Sequence, residues 1–239
     1  MKWIDHTYAR PEDNLACDEA LLDQCEEGLE GEVLRFWEPT DPFVVLGYSN
    51  RWKSEVDVPA CAELGIPVLR RCSGGGTVLQ GPGCLNYSLI LKIEGDRTLS
   101  SITETNRYIL ERNAAAIGSL LPSPPLVLGH TDLTVGALKF SGNSQRRRKH
   151  FTLMHGTFLL RFDLSLVEKC LPMPSLEPDY RRHRPHAAFI TNLDLTSADV
   201  KNALRIEWKA EGRLSALPDE RVRQLSAKIY KTDEWNRKF

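Results

Sequence analysis

No segment of the 239-residue chain approaches the ~18 consecutive apolar residues that would span a bilayer, so no membrane role is expected. Residues 1–10 are polar and aromatic and lack an apolar signal core, which argues against export. Neither charge is in excess: 31 basic residues stand against 32 acidic ones. Nothing global therefore draws the protein to nucleic acid or a lipid surface, and local clusters would have to make such a case. The six cysteines (Cys17, Cys25, Cys61, Cys72, Cys84 and Cys170) form no C-x-x-C pair, and the histidines complete no zinc pattern. Reduced thiols in a cytoplasmic protein are the expectation. Repeats and low-complexity tracts are missing. So are G-x-x-x-x-G-K-[ST] and G-x-G-x-x-G, which removes P-loop and dinucleotide-binding folds.

What is present suits one large domain over residues 1–239 with a full core. A helix is expected near Asn14, with Leu15, Leu21, Leu22 and Cys25 on one face and Asp18 and Glu19 elsewhere. Strands are expected at 33–37 and 43–46 across a Pro-rich turn, and a short helix at 59–64 ending at Gly65. Apolar 66–69 and alternating 86–92 flank a glycine-triplet hairpin. Ser101-Ile102-Thr103-Glu104 is a capping box that opens a long helix, which Pro122, Pro124 and Pro125 stop. Further strands are expected at 126–128, 133–140 and 151–162, with basic 146–150 as a turn. An irregular crossing segment follows Cys170. Two helices finish the chain, one with Val200, Ala203, Leu204 and Trp208 on a face, the other starting at Pro218. Strands and helices alternate without strict β-α-β spacing. This predicts an α+β fold with a central mixed or largely antiparallel sheet flanked by helices.

Three constellations can carry chemistry. Arg70-Arg71 precedes Gly74-Gly75-Gly76, and a glycine triplet is entropically costly unless something needs bare main chain. It reads as a tight turn or as a ribbon on which a flat or anionic ligand lies. Strand alternation would put Leu133, Val135, Ala137 and the Lys139 side chain on a common face, where a lysine must find an anion or reach solvent. His155-Gly156-Thr157 lies between apolar runs; the histidine is a satisfied core residue or a site residue beside a close approach. The clusters at 146–149 and 181–184 are basic but lack interleaved aromatics, so no nucleic-acid partner is expected.

In order, the chain reads NLAxDE (14–19), VVLGYSN (44–50), RRCSGGGTVLQ (70–80), NYS (86–88), TDL (131–133), KFSGNSQR (139–146), HGTFLL (155–160) and TNL (191–193). This series resembles the lipoate–protein ligase family, related to biotin ligases and octanoyltransferases, over about residues 14–193. The resemblance implies a biotin/lipoate ligase-like catalytic core, with a helical appendage over 194–239. It implies ATP and Mg²⁺ as co-substrates, and activation of lipoate or octanoate as acyl-AMP. The acyl group then passes to a lysine of a lipoyl carrier domain.

By the same resemblance Lys139 is catalytic, lying against the carboxylate and the α-phosphate. Arg71, Ser73, Gly74, Gly75, Gly76 and Thr77 line the acyl-adenylate site, and Val44, Val45, Leu46 and Val78 shelter the acyl chain. Asp132 sits near the nucleotide or Mg²⁺, while Ser141, Gly142, His155, Gly156 and Thr157 close the pocket. Gln80 stands where the family commonly has histidine. It keeps hydrogen bonding but cannot titrate.

Longer ligases carry a further C-terminal domain, so the resemblance leaves three forms open: a compact ligase, one with a separate accessory subunit, or a transferase. Transferase relatives work through a cysteine thioester. Residues 127–130 hold no thiol, and Cys170 lies after the HG segment but closer than that pattern wants. Cys72 and Cys84 are expected to border the pocket. A lipoyl-binding pseudoenzyme is the remaining alternative.

Overall fold

The layers follow from side-chain alternation along the strands. The structure, a computed structural model, describes residues 1–93, 99 and 101–239. Its strands are β1 (Lys2–Asp5), β2 (Val33–Trp37), β3 (Phe43–Leu46), β4 (Val68–Arg70), β5 (Val78–Gln80), β6 (Cys84–Lys92), β7 (Leu126–Leu128), β8 (Asp132–Val135), β9 (Leu138–Arg147), β10 (Phe151–Leu159) and β11 (Gly212–Arg213). Its helices are α1 (Pro11–Glu26), α2 (Trp52–Glu55), α3 (Val58–Glu63), α4 (Ile102–Gly118), α5 (Ser165–Cys170), α6 (Ser197–Glu207), α7 (Asp219–Leu225) and α8 (Asp233–Asn236). An eight-stranded sheet runs β11-β1-β2-β6-β10-β9-β8-β7, and a three-stranded sheet runs β4-β3-β5. In the large sheet β1 is parallel to β2 and β11 while the other pairs are antiparallel, the mixed α+β architecture expected.

Along β6, Leu85, Tyr87, Leu89 and Leu91 point to one side. There they join Leu34, Phe36, Phe140, Met154 and Phe158 in a core closed by Ile109, Ile117, Val200 and Leu204 of α4 and α6. Successive strand residues alternate faces, so Asn86 and Ser88 turn to the other side, where α1 packs on β6 and β10. The expected N-cap of α4 holds, and α6 is capped in the same way. The Ser101 side chain accepts from the Glu104 N–H and Thr196 from that of Asp199, which satisfies donors the helix leaves free.

Four expectations need correction. First, the glycine triplet is not a hairpin turn. β3 lies between β4 and β5, parallel to the first and antiparallel to the second, so residues 71–77 arch over the end of β3. Second, 133–140 is two strands. Gly136, at φ +56, turns the chain, and Lys139 then lies opposite Thr134 instead of sharing a face with Leu133, Val135 and Ala137. Third, α1 begins at Pro11, a residue whose fixed φ suits a first turn. Fourth, Asp18 and Glu19 point inward, at 2% and 9% exposure.

Residues 194–239 are woven into this frame. β11 extends the large sheet, α6 packs on α4, and α7 packs on α1. Asn236 Oδ1 accepts the Arg70 backbone N–H at 2.9 Å, and Trp235 Nε1 donates to the Arg70 carbonyl at 2.9 Å. Among the described residues no helix is long and apolar enough to cross a membrane.

The arch over β3 is tight. A Cβ added to Gly47 would lie 2.0 Å from the Gly75 carbonyl oxygen, and main chain cannot yield as a side-chain tip would. Gly47→Ala should therefore cost about 1–3 kcal/mol. The cost will be read as a lower urea midpoint of the purified protein. An unchanged midpoint would show that the arch has room to move.

Candidate active site

The two sheets meet across a cleft of about 850 Å³. Register fixes its floor. Gly142 pairs with both Asp132 and Thr157, Thr157 with Asn86, and Asn86 with Trp37, so these residues form one row across the large sheet. Two residues along the same strands, Ser144, His155, Ser88 and Arg35 form a second row. Cross-strand partners share a face, so both rows look toward α1 and the small sheet.

Lys139 reaches over the first row. Its Nζ lies 2.7 Å from Asp132 Oδ1, and a Cβ on Gly142 would come within 3.0 Å of the same nitrogen. Glycine at 142 leaves the space the amine occupies. The Lys139 main chain is held on both sides, its N–H by the Phe189 carbonyl and its carbonyl by the Thr191 N–H, each at 2.9 Å. The Tyr180 hydroxyl donates to Asp132 Oδ2 at 2.8 Å. Burial and then the adjacent carboxylate push this phenol well above its usual range, so it remains a donor.

The glycine ribbon forms the opposite side. Arg71, buried, donates from its outer nitrogens to the carbonyls of Gly74 at 2.5 Å, Gly76 at 2.8 Å and Val45 at 3.3 Å, and from Nε to Ser73 Oγ at 3.1 Å. Burial pulls its guanidinium down to about 10. Thus Arg71 lines the cleft but spends its donors shaping the ribbon, whose Gly75 sits at φ +86.

Behind the ribbon runs a buried polar string. Ser73 Oγ lies 2.8 Å from Ser144 Oγ and 2.5 Å from His155 Nε2, and His155 Nδ1 lies 3.0 Å from Asp18 Oδ2. Asp18 Oδ1 accepts from Arg35 and from Ser88, both at 2.6 Å. Burial alone would raise the Asp18 carboxyl, but Arg35 and His155 outweigh it and hold the group below its usual range. A carboxylate only accepts, so the Nδ1 proton belongs to the histidine. The order serine, histidine, aspartate is that of a hydrolytic triad, but Ser73 is 1% exposed and already bonded to Ser144 and Arg71. It is a tether.

The structure brings Lys139, Arg71, Gly75, Gly76, Thr77, Val78, Gln80, Asp132, Ser141, Gly142, His155, Gly156 and Thr157 to one cleft. Two expected residues are not part of its lining: Ser73 is buried behind it, and Gly74 is exposed with its carbonyl turned to Arg71. Val45 and Val78 make an apolar wall with Leu15 and Trp37. Val44 and Leu46, alternating away, pack instead against Val56 and Cys61. Cys72 and Cys84 do not border the cleft but lie in the core.

All six thiols are buried and none lines the cleft. Burial pushes five of them (Cys17, Cys25, Cys61, Cys72 and Cys84) up to about 12 and raises Cys170. The basic run at 146–149 is drawn away, with Arg148 paired to Glu19 and Asp23. Among the described residues no three His, Cys, Asp or Glu side chains cluster to hold a metal, and Asp132 meets Lys139 and Tyr180.

Asn86, Asp18 and Tyr180 had no assigned role in the sequence. The first two lie inside quoted segments, NYS and NLAxDE, which was the available signal. Gln80 Nε2 donates to Thr157 Oγ1 at 3.1 Å, and Thr157 donates to Asn86 Oδ1 at 2.5 Å. This leaves Gln80 Oε1, Asn86 Nδ2 and Thr77 Oγ1 buried without partners among the described residues. Such groups suit a polar ligand that completes them.

The family model for the lipoyl protein ligase A/B catalytic domain matches residues 10–207. The chain belongs to this family. Among its relatives is the octanoyltransferase LipM of Carboxydothermus hydrogenoformans, 28% identical over 100% of this chain and 98% of that protein. Another is lipoate-protein ligase A subunit 1 of Thermoplasma acidophilum, 28% identical over 93% of this chain and 90% of that one. A crystal structure of lipoate-protein ligase A bound with ATP superposes with a TM-score of 0.79 at 26% identity, covering 99% of this chain and 98% of that one. The lipoyl protein ligase A/B chain described here is thus an enzyme of lipoyl or octanoyl attachment.

The string behind its ribbon is testable. Asp18→Asn leaves buried Arg35 without a counter-charge and should cost about 3–5 kcal/mol at pH 7. The native carboxyl is depressed, so its contribution is complete above the unfolded value of ~3.9 and is lost as pH falls through the lower folded value. The gap between wild type and Asp18→Asn in urea denaturation should therefore narrow on going from pH 7 to pH 3. A gap that stays constant or widens would contradict a depressed Asp18.

Proposed function

We propose that the protein is an ATP-dependent lipoate–protein ligase, one catalytic domain over residues 1–239, that acylates a lysine of a lipoyl carrier domain. One observation carries this reading. The cleft joins an ammonium, Lys139, to a glycine ribbon and an apolar wall, while every thiol is buried away from it.

The chemistry then needs no protein nucleophile. A carboxylate is a poor electrophile, and an amine with a reference pKa of ~10.4 is protonated at neutral pH. In the first step a carboxylate oxygen attacks the α-phosphorus and pyrophosphate leaves. Lys139 offsets the repulsion between the two anions, and the ribbon's N–H groups receive the phosphate. In the second step the carrier amine, having lost its first proton to solvent, attacks the acyl carbon; AMP leaves with the acyl–phosphate bond broken, and the new amide nitrogen gives up a second proton to the departing phosphate or solvent. Lys139 now supports the departing phosphate. Val45, Val78, Leu15 and Trp37 hold the acyl chain. Asp132, whose oxygens meet Lys139 and Tyr180 but keep further lone pairs, would supply one ligand to a Mg²⁺ on the nucleotide, which would offset phosphate charge. The relative named as subunit 1 supports the need for an accessory chain, and the ATP-bound neighbour supports the nucleotide.

The second reading is an octanoyltransferase, favoured by the likeness to LipM. The two part on the thiols. The purified chain, lipoate, ATP, Mg²⁺ and a lipoyl domain, with and without a candidate accessory subunit, should yield acylated domain by mass spectrometry. Cys170→Ser should leave that yield within about twofold, since its thiol lies outside the cleft, whereas Lys139→Ala should lower it by more than ~100-fold. Transfer from octanoyl-carrier without ATP, lost in Cys170→Ser, would make the enzyme a transferase. Near-normal turnover by Lys139→Ala would remove the amine from the mechanism.

A further inference from the structure

Lys139 is aimed by one stretch of chain that has no assigned role, the crossing segment after α5. Its main chain docks on Lys139 directly: the Phe189 carbonyl takes the Lys139 N–H and the Thr191 N–H takes the Lys139 carbonyl. Nine residues before Phe189 the segment reaches the same residue's charge through Asp132. The Tyr180 hydroxyl donates to Asp132 Oδ2 at 2.8 Å, and Asp132 Oδ1 meets Lys139 Nζ at 2.7 Å. The carboxylate is therefore a bridge with one oxygen on each partner.

Tyr180 is itself pinned. Its ring packs on Phe189 at a centroid distance of 5.3 Å, and its carbonyl accepts from Arg184 at 3.0 Å. At Gly129 a Cβ would come within 3.4 Å of the ring, so a residue without a side chain lets β7 and the crossing segment close together. An aspartate carboxyl rotates freely about χ2. A flexible lysine follows whichever oxygen it meets, and the phenol removes that freedom by fixing Oδ2.

We propose that Tyr180 is a positioning residue, whose hydroxyl fixes the Asp132 carboxylate and through it the Lys139 amine in register with the reacting carboxylate and phosphate. This rests on the ligase reading of Lys139 given above. The effect falls on the chemical steps. On the ligase reading the acid and the nucleotide lie on the ribbon and the apolar wall; Tyr180 also lines the cleft, but its hydroxyl is spent on Asp132 Oδ2, so their KM values are insensitive to that hydroxyl. Misplacement of a charge stabilising the transition state lowers kcat instead.

The test compares Tyr180→Phe, which keeps the ring, with Tyr180→Ala, Asp132→Asn, the Tyr180→Phe/Asp132→Asn double variant and Lys139→Ala. Tyr180→Phe should lower kcat for adenylate formation, followed as acid-dependent ATP–pyrophosphate exchange, by about tenfold, the effect of losing one hydrogen bond to a charged group. KM for lipoate and ATP should stay within about twofold. In the Asp132→Asn background the same change should do nothing further, because its route to the lysine is gone.

A second readout needs no turnover. Competitive acylation of amines by acetic anhydride, quantified by mass spectrometry, should label Lys139 at least about threefold faster in Tyr180→Phe, because a loosened carboxylate holds the amine less firmly. Lys201, paired with Asp5 and Glu38 elsewhere, serves as the internal standard. Wild-type kcat and labelling in Tyr180→Phe, with loss only in Tyr180→Ala, would reduce Tyr180 to a packing ring and overturn the proposal. An equal loss with and without the Asp132 carboxylate would also overturn it. A fully active Lys139→Ala would remove the ligase reading and the positioning role together. A dead Lys139→Ala beside a normal Tyr180→Phe would remove the positioning role alone.

Discussion

The site depends on a buried carboxylate. Asp18 meets Arg35 at 2.6 Å with both side chains out of water, and desolvating such a pair costs several kcal/mol per ion before any attraction is counted. Coulomb attraction alone offsets that only when the remaining lone pairs and protons are also satisfied. Here nearly all are: Ser88 and His155 complete Asp18, the carbonyl and side chain of Asn14 take further Arg35 donors, and Arg35 Nε alone of that guanidinium lacks a partner among the described residues. The string therefore tolerates little slack. It fixes α1 on the sheet, sets His155 to meet Ser73, and fastens the start of the glycine ribbon to the floor of the cleft. An apolar filling of the same volume would pack α1 as firmly but would have no direction, and the ribbon would lose its tether.

The adjacent arginines divide a related task. Alternation sends Arg70 and Arg71 to opposite sides of the small sheet. Arg70, fully buried, donates to the carbonyls of Gly47, Tyr48, Asn50, Trp235 and Asn236. Arg71 donates to Val45, Gly74 and Gly76. Together they clamp the ribbon and the loop beneath it by their carbonyls. A carbonyl turned toward an arginine leaves the peptide N–H on the other side, so the clamp also helps direct N–H groups to the cleft. The two guanidinium groups, which look like anion binders in the sequence, spend these donors on main-chain carbonyls.

Local chemistry was legible in the sequence; pairing was not. The serine cap of α4, the Gly65 stop after α3 and the proline stop after α4 act within a few residues, and each is where its residue types place it. The order β4-β3-β5 depends on contacts far apart in sequence, and a triple glycine between two apolar runs reads equally as a hairpin. Gly136 carried the signal that 133–140 must fold back, but an unbroken period-2 pattern masked it. The hardest residue was Asp18. A charged side chain is read as exposed because an isolated buried charge is prohibitive, and the partners that reverse this, Arg35 and His155, lie 17 and 137 residues away. The cleft's charged and glycine-rich residues were readable from motifs, whereas the bonds that join Asp18, His155 and Ser73 beneath them could be found only from the folded chain.

Thiol placement separates the chemistries that this family combines. A thioester relay needs a sulfur that can meet the acyl carbon, lose its proton and be reached by the second acceptor. Val167 on α5 and Leu171 just past its end line the cleft, whereas Cys170 turns to the layer behind, where its main chain meets Cys61. Bringing that sulfur to the acyl site would require α5 to roll, burying its charged outer residues and exposing the core contacts of Cys170. That rearrangement works against hydrophobic burial. The cleft presents the Lys139 amine beside the Asp132 carboxylate and keeps all six thiols out of its lining.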